Sequence, residues 1–133
     1  MKIIMIWGLM LLSCNNKERA LEKQTLELAY IIAAECMECD SVERLLVGST
    51  VINRVLHPDF PKSIEEVIKQ DNQFLGYCAE WYVYDKGCYE IAKYLISGGK
   101  RDEDILYFFK KRKVTPKHVS KILYNKKYHS FGI

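Results

Sequence analysis

The stretch "HPDFP", residues 57–61, limits the possible folds of this chain more than any other. Pro58 and Pro61 forbid a helix from running through it, and they bias His57 and Phe60 toward extended geometry. Helices must therefore be built on either side of the break. Upstream, residues 20–38 read as one helix, on which Leu28, Ile31 and Ile32 recur at helical spacing and define an apolar face. Asp40 or Ser41 then caps a second helix running to about Leu56, with Glu43 placed for a capping box if Asp40 is the cap. Downstream, Ser63 starts a short helix in "SIEEVIKQ", and a longer one over about residues 85–96 is stopped by Gly98 and Gly99. "ILYFF" from Ile105 and "KYHSFGI" at the end have the composition of short strands. The expected class is α+β, mainly helical, as a small single domain with a short β element near the C-terminus. With 49% hydrophobic residues, three prolines and seven glycines in 133 residues, one modest core fits and disorder does not.

The first sixteen residues, "MKIIMIWGLMLLSCNN", set the compartment. Lys2 is followed by ten apolar residues, then a small residue and a cysteine, the layout of a secretory signal and too short to span a bilayer. "LLSC" resembles a bacterial lipobox, in which cleavage leaves the cysteine as the acylated first residue. The expected division is a lipoprotein signal peptide over 1–13, an anchor and short linker over 14–22 with Cys14 carrying the lipid, and the domain over 23–133. The protein is then exported and lipid-anchored in the bacterial cell envelope.

Export frames the remaining cysteines and the charge. Cys36, Cys39, Cys78 and Cys88 are an even set in a small exported domain and are disulfide candidates in any of three pairings. Free buried thiols rank behind that, and zinc third, because Cys78 and Cys88 do not repeat the close "CMEC" pair. No metal or cofactor is expected. All seventeen acidic residues lie at or before Asp104, and "KKRKVTPKHVSKILYNKK", residues 110–127, carries eight basic residues. That stretch is a solvated face or an anion-binding rim; export excludes nucleic acid as the partner. The envelope offers lipid headgroups, teichoic-type polymers and the carboxylates of peptidoglycan stem peptides.

In "YIIAAECMECD" a carboxylate, Glu35, shares the helix face of Leu28, Ile31 and Ile32. Either it reaches water from a helix terminus, or its apolar neighbours hold it protonated as a general acid.

Four pieces in order, "AAECMECDSVERLLVGSTVINRV", "FPKSIEEVIKQDNQF", "ILYFF" and "YHSFG", resemble the SleB-type cell-wall hydrolase family, which includes spore-cortex-lytic enzymes. The family has a glutamate in a Glu-Ala-Arg-Gly-Glu-like stretch and an Asn-Arg-Val at a fixed distance. Glu35 and Asn53-Arg54-Val55 match these. The family's Phe-Pro, Gln-Phe, Leu-Tyr-Phe and terminal His-x-Phe fall on Phe60-Pro61, Gln73-Phe74, Leu106-Tyr107-Phe108 and His129-Ser130-Phe131. The chain departs at Met37, Glu38 and Cys39, which replace the arginine, the glycine and the second glutamate.

The resemblance implies a lysozyme- or transglycosylase-like domain that cleaves peptidoglycan strands between N-acetylmuramic acid and N-acetylglucosamine, as a monomer. Glu35 is the implied catalytic residue, and Gln73, Tyr107, His129 and Phe74 the implied substrate contacts. Core packing competes with that role for the aromatics, and a structural hydrogen bond competes with it for His129. Asn53, inside a helix, is expected to hold a neighbouring loop. A lytic transglycosylase needs one glutamate, as acid and then as base toward the sugar's own 6-hydroxyl, where ordinary glycosidases need two carboxylates. The alternatives are a non-catalytic peptidoglycan-binding lipoprotein and a small disulfide-stapled protein that inhibits or recruits another envelope factor.

Overall fold

The helix starts follow local chemistry. In the computed structural model, which describes residues 2–70, 74, 84–111 and 115–133, with side chains from residue 13 onward, three N-caps recur. Asp40, Ser63 and Asp85 have extended backbones, and their side-chain oxygens accept the N–H three residues on, at 2.8, 3.2 and 2.8 Å. They open α2 (Ser41–Leu56), α3 (Ile64–Ile68) and α4 (Lys86–Ile96). His57, the extended residue before Pro58, caps the end of α2. Gly98, at a φ of +86°, takes the left-handed turn that ends the α4 region.

The first helix, α1 (Lys2–Cys36), starts well before residue 20, because nothing in the strongly helix-forming sequence between the apolar N-terminal stretch and Leu28 breaks it. Residues 13–24 are exposed, and Thr25 is the first buried side chain. No helix among the described residues is long and apolar enough to cross a membrane.

The C-terminal part of α1 packs with α2 and α4. Leu28, Ile31 and Ile32 are fully buried, as are Val47 and Val51 of α2, and Leu95 of α4 joins them. Gly48 makes this approach possible: a Cβ there would stand 2.6 Å from Leu95 Cδ1 and 3.0 Å from Ile32 Cδ1. Three short strands, β1 (Tyr107–Lys110), β2 (Ile122–Asn125) and β3 (His129–Gly132), form an antiparallel sheet in the order β1-β3-β2. β3, the central strand, is buried throughout. β2 adds a strand to the two read from the sequence.

Arg54 fixes the sheet to α2. Its Nε donates to the Leu106 carbonyl at 2.7 Å, and its guanidinium lies 5.1–5.4 Å from the ring centres of Phe60, Phe74 and Tyr107. Burial pushes its pKa down to about 10, so the charge is retained at neutral pH. Arg54→Ala is expected to destabilise the domain by about 3 kcal/mol, from a charged hydrogen bond and desolvated cation–π contacts. Arg54→Lys should recover little of this, since a point charge cannot stack among three rings. Urea unfolding checks both variants.

Candidate active site

α1 delivers Glu35 from the core to a cleft of about 490 Å³. Glu35 sits in the last turn, half-buried, at the end of the face whose other members are fully buried. The turn carrying Glu38 and the two cysteines forms one wall, and Lys110, Lys111, Lys127, Tyr128 and His129 form the other. Lys110 pairs with His129 across β1 and β3, so sheet register sets part of the basic wall. The cleft is thus acidic on the helix side and basic on the sheet side.

The turn after α1 is held from several directions. Cys36 and Cys39 form a disulfide, and the Cys39 N–H donates to the Cys36 carbonyl at 3.1 Å. Arg44 donates through Nε to that same carbonyl at 3.2 Å, through Nη2 to the Met37 carbonyl, and through Nη1 to Asp85 at 3.0 Å. These bonds satisfy carbonyls that a helix C-terminus leaves open. Asp85 is held below the usual carboxylate range by the Cys88 N–H first and by Arg44 next.

Glu43 was legible only as a capping-box arm, and it does something else. Asp40 caps α2, but the Glu43 side chain turns inward, 1% exposed, and its Oε1 accepts from the backbone N–H groups of His129 at 2.7 Å and Tyr128 at 3.1 Å. The same oxygen lies 2.9 Å from His129 Nδ1. His129 Nδ1 in turn lies 3.9 Å from Cys36 Sγ and 4.0 Å from Cys39 Sγ. The sequence gives no local sign that Glu43 and His129 meet, because they stand 86 residues apart.

Of the expected site residues, Glu35 and His129 line one cleft. Tyr107 and Phe74 do not line it; they stand against Arg54, with Phe74 only 7% exposed. Gln73 and Cys78 lie outside the described residues. Cys88, expected among the disulfide candidates, is instead a free thiol, fully buried at the start of α4 and pushed up to about 11 by that burial. Asn53 holds a loop, as expected: its Nδ2 donates to the carbonyls of Asp102 and Ile105 at 2.8 and 2.9 Å. Asn53 and Arg101 border a second cleft of about 610 Å³, but they bond each other there at 2.7 Å. The lysines of the Glu35 cleft are the site residues the reading missed individually; their only signal was the acid-free stretch from residue 110.

Residues 40–131 match the family described as cell wall hydrolase. The fold also matches the crystal structure of the catalytic domain of the Bacillus cereus SleB protein, with a TM-score of 0.70 at 18% identity, covering 84% of this chain and 91% of that one. Among curated protein sequences, none matches. The chain therefore belongs to the cell wall hydrolase family, the SleB-type group expected from its motifs, whose enzymes act on peptidoglycan. The matched segment begins at Asp40, so Glu35 and Cys36 precede it.

Proposed function

We propose that the protein cleaves peptidoglycan glycan strands between N-acetylmuramic acid and N-acetylglucosamine as a lytic transglycosylase, with Glu35 as acid and then base. The observation that carries this reading is the distribution of carboxylates around the cleft. Glu35 and Glu38 stand three residues apart on one wall, and the opposite wall is basic. A two-carboxylate glycosidase needs its pair on opposite sides of the anomeric carbon. With Glu35 as the one usable carboxyl among the described residues of the cleft, its protonated form donates to the glycosidic oxygen as the bond breaks. The resulting carboxylate removes the proton of the 6-hydroxyl, whose oxygen closes a 1,6-anhydro ring at the anomeric carbon. The substrate supplies its own tethered nucleophile. Lys110, Lys111 and Lys127 would meet the carboxylates of stem peptides, and His129 lies beside the same path.

The test is incubation of purified sacculi with the chain from Asn15 onward. Soluble muropeptides should accumulate with time. Binding to sacculi without release would instead establish the second reading, a non-catalytic peptidoglycan-binding lipoprotein. That reading is favoured by Cys39, which is tied in a disulfide where the family's second glutamate falls.

The domain is proposed to act from a lipid anchor at Cys14, after removal of residues 1–13. Cys14 is exposed on the projecting part of α1, about 16 Å along the helix from Thr25, which supports a short spacer between membrane and cleft. Cys14→Ser should release the protein from the membrane fraction or leave its leader uncleaved, since acyl chains contribute about 0.8 kcal/mol per buried methylene. Normal processing with unchanged membrane partitioning of the serine variant would contradict the anchor.

A further inference from the structure

Cys36, Cys39, Glu43 and His129 each offer one ligand atom, and these four atoms lie within 4.8 Å of one another, with all four residues buried. They come from the end of α1, the following turn, α2 and β3. "CMEC" has the spacing of a zinc-binding pair, and among the described residues Glu43 and His129 stand beside it. We infer that, with the disulfide reduced, these four side chains form a closed, structural Zn²⁺ site of two thiolates, one imidazole Nδ1 and one carboxylate oxygen.

The distances are close to those such a site requires. Tetrahedral zinc with ordinary Zn–S and Zn–N bonds puts sulfur and nitrogen about 3.5 Å apart, and nitrogen and oxygen about 3.3 Å apart. Here the two sulfurs stand 3.9 and 4.0 Å from His129 Nδ1, and Glu43 Oε1 stands 2.9 Å from it. The largest adjustment is at the two bonded sulfurs, which must part to about 3.7 Å, while the sulfur–nitrogen and nitrogen–oxygen spacings each change by about 0.5 Å. The Cys36 and Cys39 Cα atoms are 5.1 Å apart, and the turn between them is held by Arg44 and its own backbone bonds independently of the S–S bond. A set of two sulfurs, one nitrogen and one oxygen in tetrahedral array suits zinc over magnesium or calcium. Lys110, Lys111 and Lys127 on the same cleft offset the surplus negative charge of three anionic ligands.

The chemistry balances with a thiol as the named reductant. The disulfide takes two electrons and two protons from two thiol molecules, which join as their own disulfide. Cys36 and Cys39 then lose two protons as they bind Zn²⁺. Oxidation of the pair reverses both steps and expels the ion, so disulfide and zinc are alternative states of the Cys36–Cys39 pair, and only the zinc state also ties that pair to α2 and β3.

The full chain, reduced with a phosphine under argon, is titrated with Co²⁺ as the probe and then with Zn²⁺. One Co²⁺ per chain should bind, with tetrahedral visible bands and near-ultraviolet thiolate charge-transfer absorption, and Zn²⁺ should displace it. The oxidised chain should bind none. Cys39→Ser should weaken binding by more than about 100-fold, since even outer-shell partners cost about 10–100-fold. Alkylation mapped by peptide mass spectrometry needs no variant: Zn²⁺ should protect Cys36 and Cys39 of the reduced wild-type chain. Absence of stoichiometric Co²⁺ uptake overturns the site, as does protection falling on Cys14, Cys78 or Cys88 instead. Neither readout depends on glycan cleavage.

Discussion

Glu35→Gln should lower glycan cleavage by about 100- to 10,000-fold while leaving the fold and sacculus binding intact. The amide has the shape of the carboxyl but can neither give up a proton to the glycosidic oxygen nor take one from the 6-hydroxyl. Because both halves of the proposed reaction use this one group, the loss should lie toward the upper end of that range. Circular dichroism and melting temperature should match the wild type, since Glu35 is half-buried at the cleft wall and the packing of α1 rests on Leu28, Ile31 and Ile32. Turnover near wild type would remove Glu35 from the mechanism and make Glu38, the other acidic residue on that wall, the next to test.

Glu43→Ala is expected to be the most destabilising single change in the site. It deprives two backbone N–H groups at the start of β3 of their acceptor and leaves the His129 ring without its carboxylate. Removing one partner of a buried hydrogen-bonded pair costs about 3–5 kcal/mol, here about 10–20 °C in Tm. Glu43→Gln should lose less, because its carbonyl oxygen can keep both backbone bonds. An alanine variant within about 1 kcal/mol of wild type in urea unfolding would show that β3 is held by its strand neighbours alone.

The contrast between these two glutamates shows what the sequence could convey. Glu35 was visible because its position is a matter of helical period: the face it shares with Leu28, Ile31 and Ile32 is local. The caps Asp40, Ser63 and Asp85 were legible for the same reason, each acting three residues ahead. Glu43 obeyed the local rule for a capping-box arm and was drawn away by unpaired donors at the start of β3, which only tertiary assembly brings near. β2 was missed because "ILYN" lies in a strongly basic stretch with little alternation and becomes a strand by pairing with β3. Cysteine spacing could not say that Cys36 pairs with Cys39 or that Cys88 points into the core, since pairing depends on where helices lie. Aromatic residues carry the same ambiguity: Tyr107 and Phe74 fit either a sugar contact or core packing in the sequence, and both rings lie against Arg54.

In the proposed reaction one glutamate opens the glycosidic bond and the sugar closes on itself without water. Its most direct test is mass spectrometry of muropeptides released from sacculi digested in water enriched in heavy oxygen. Unlabelled products ending in 1,6-anhydro-N-acetylmuramic acid are expected, each lighter by one water than the hydrolysis product. Heavy oxygen at the new reducing ends would contradict it: water would be the nucleophile, and a second carboxylate would have to reach across the cleft.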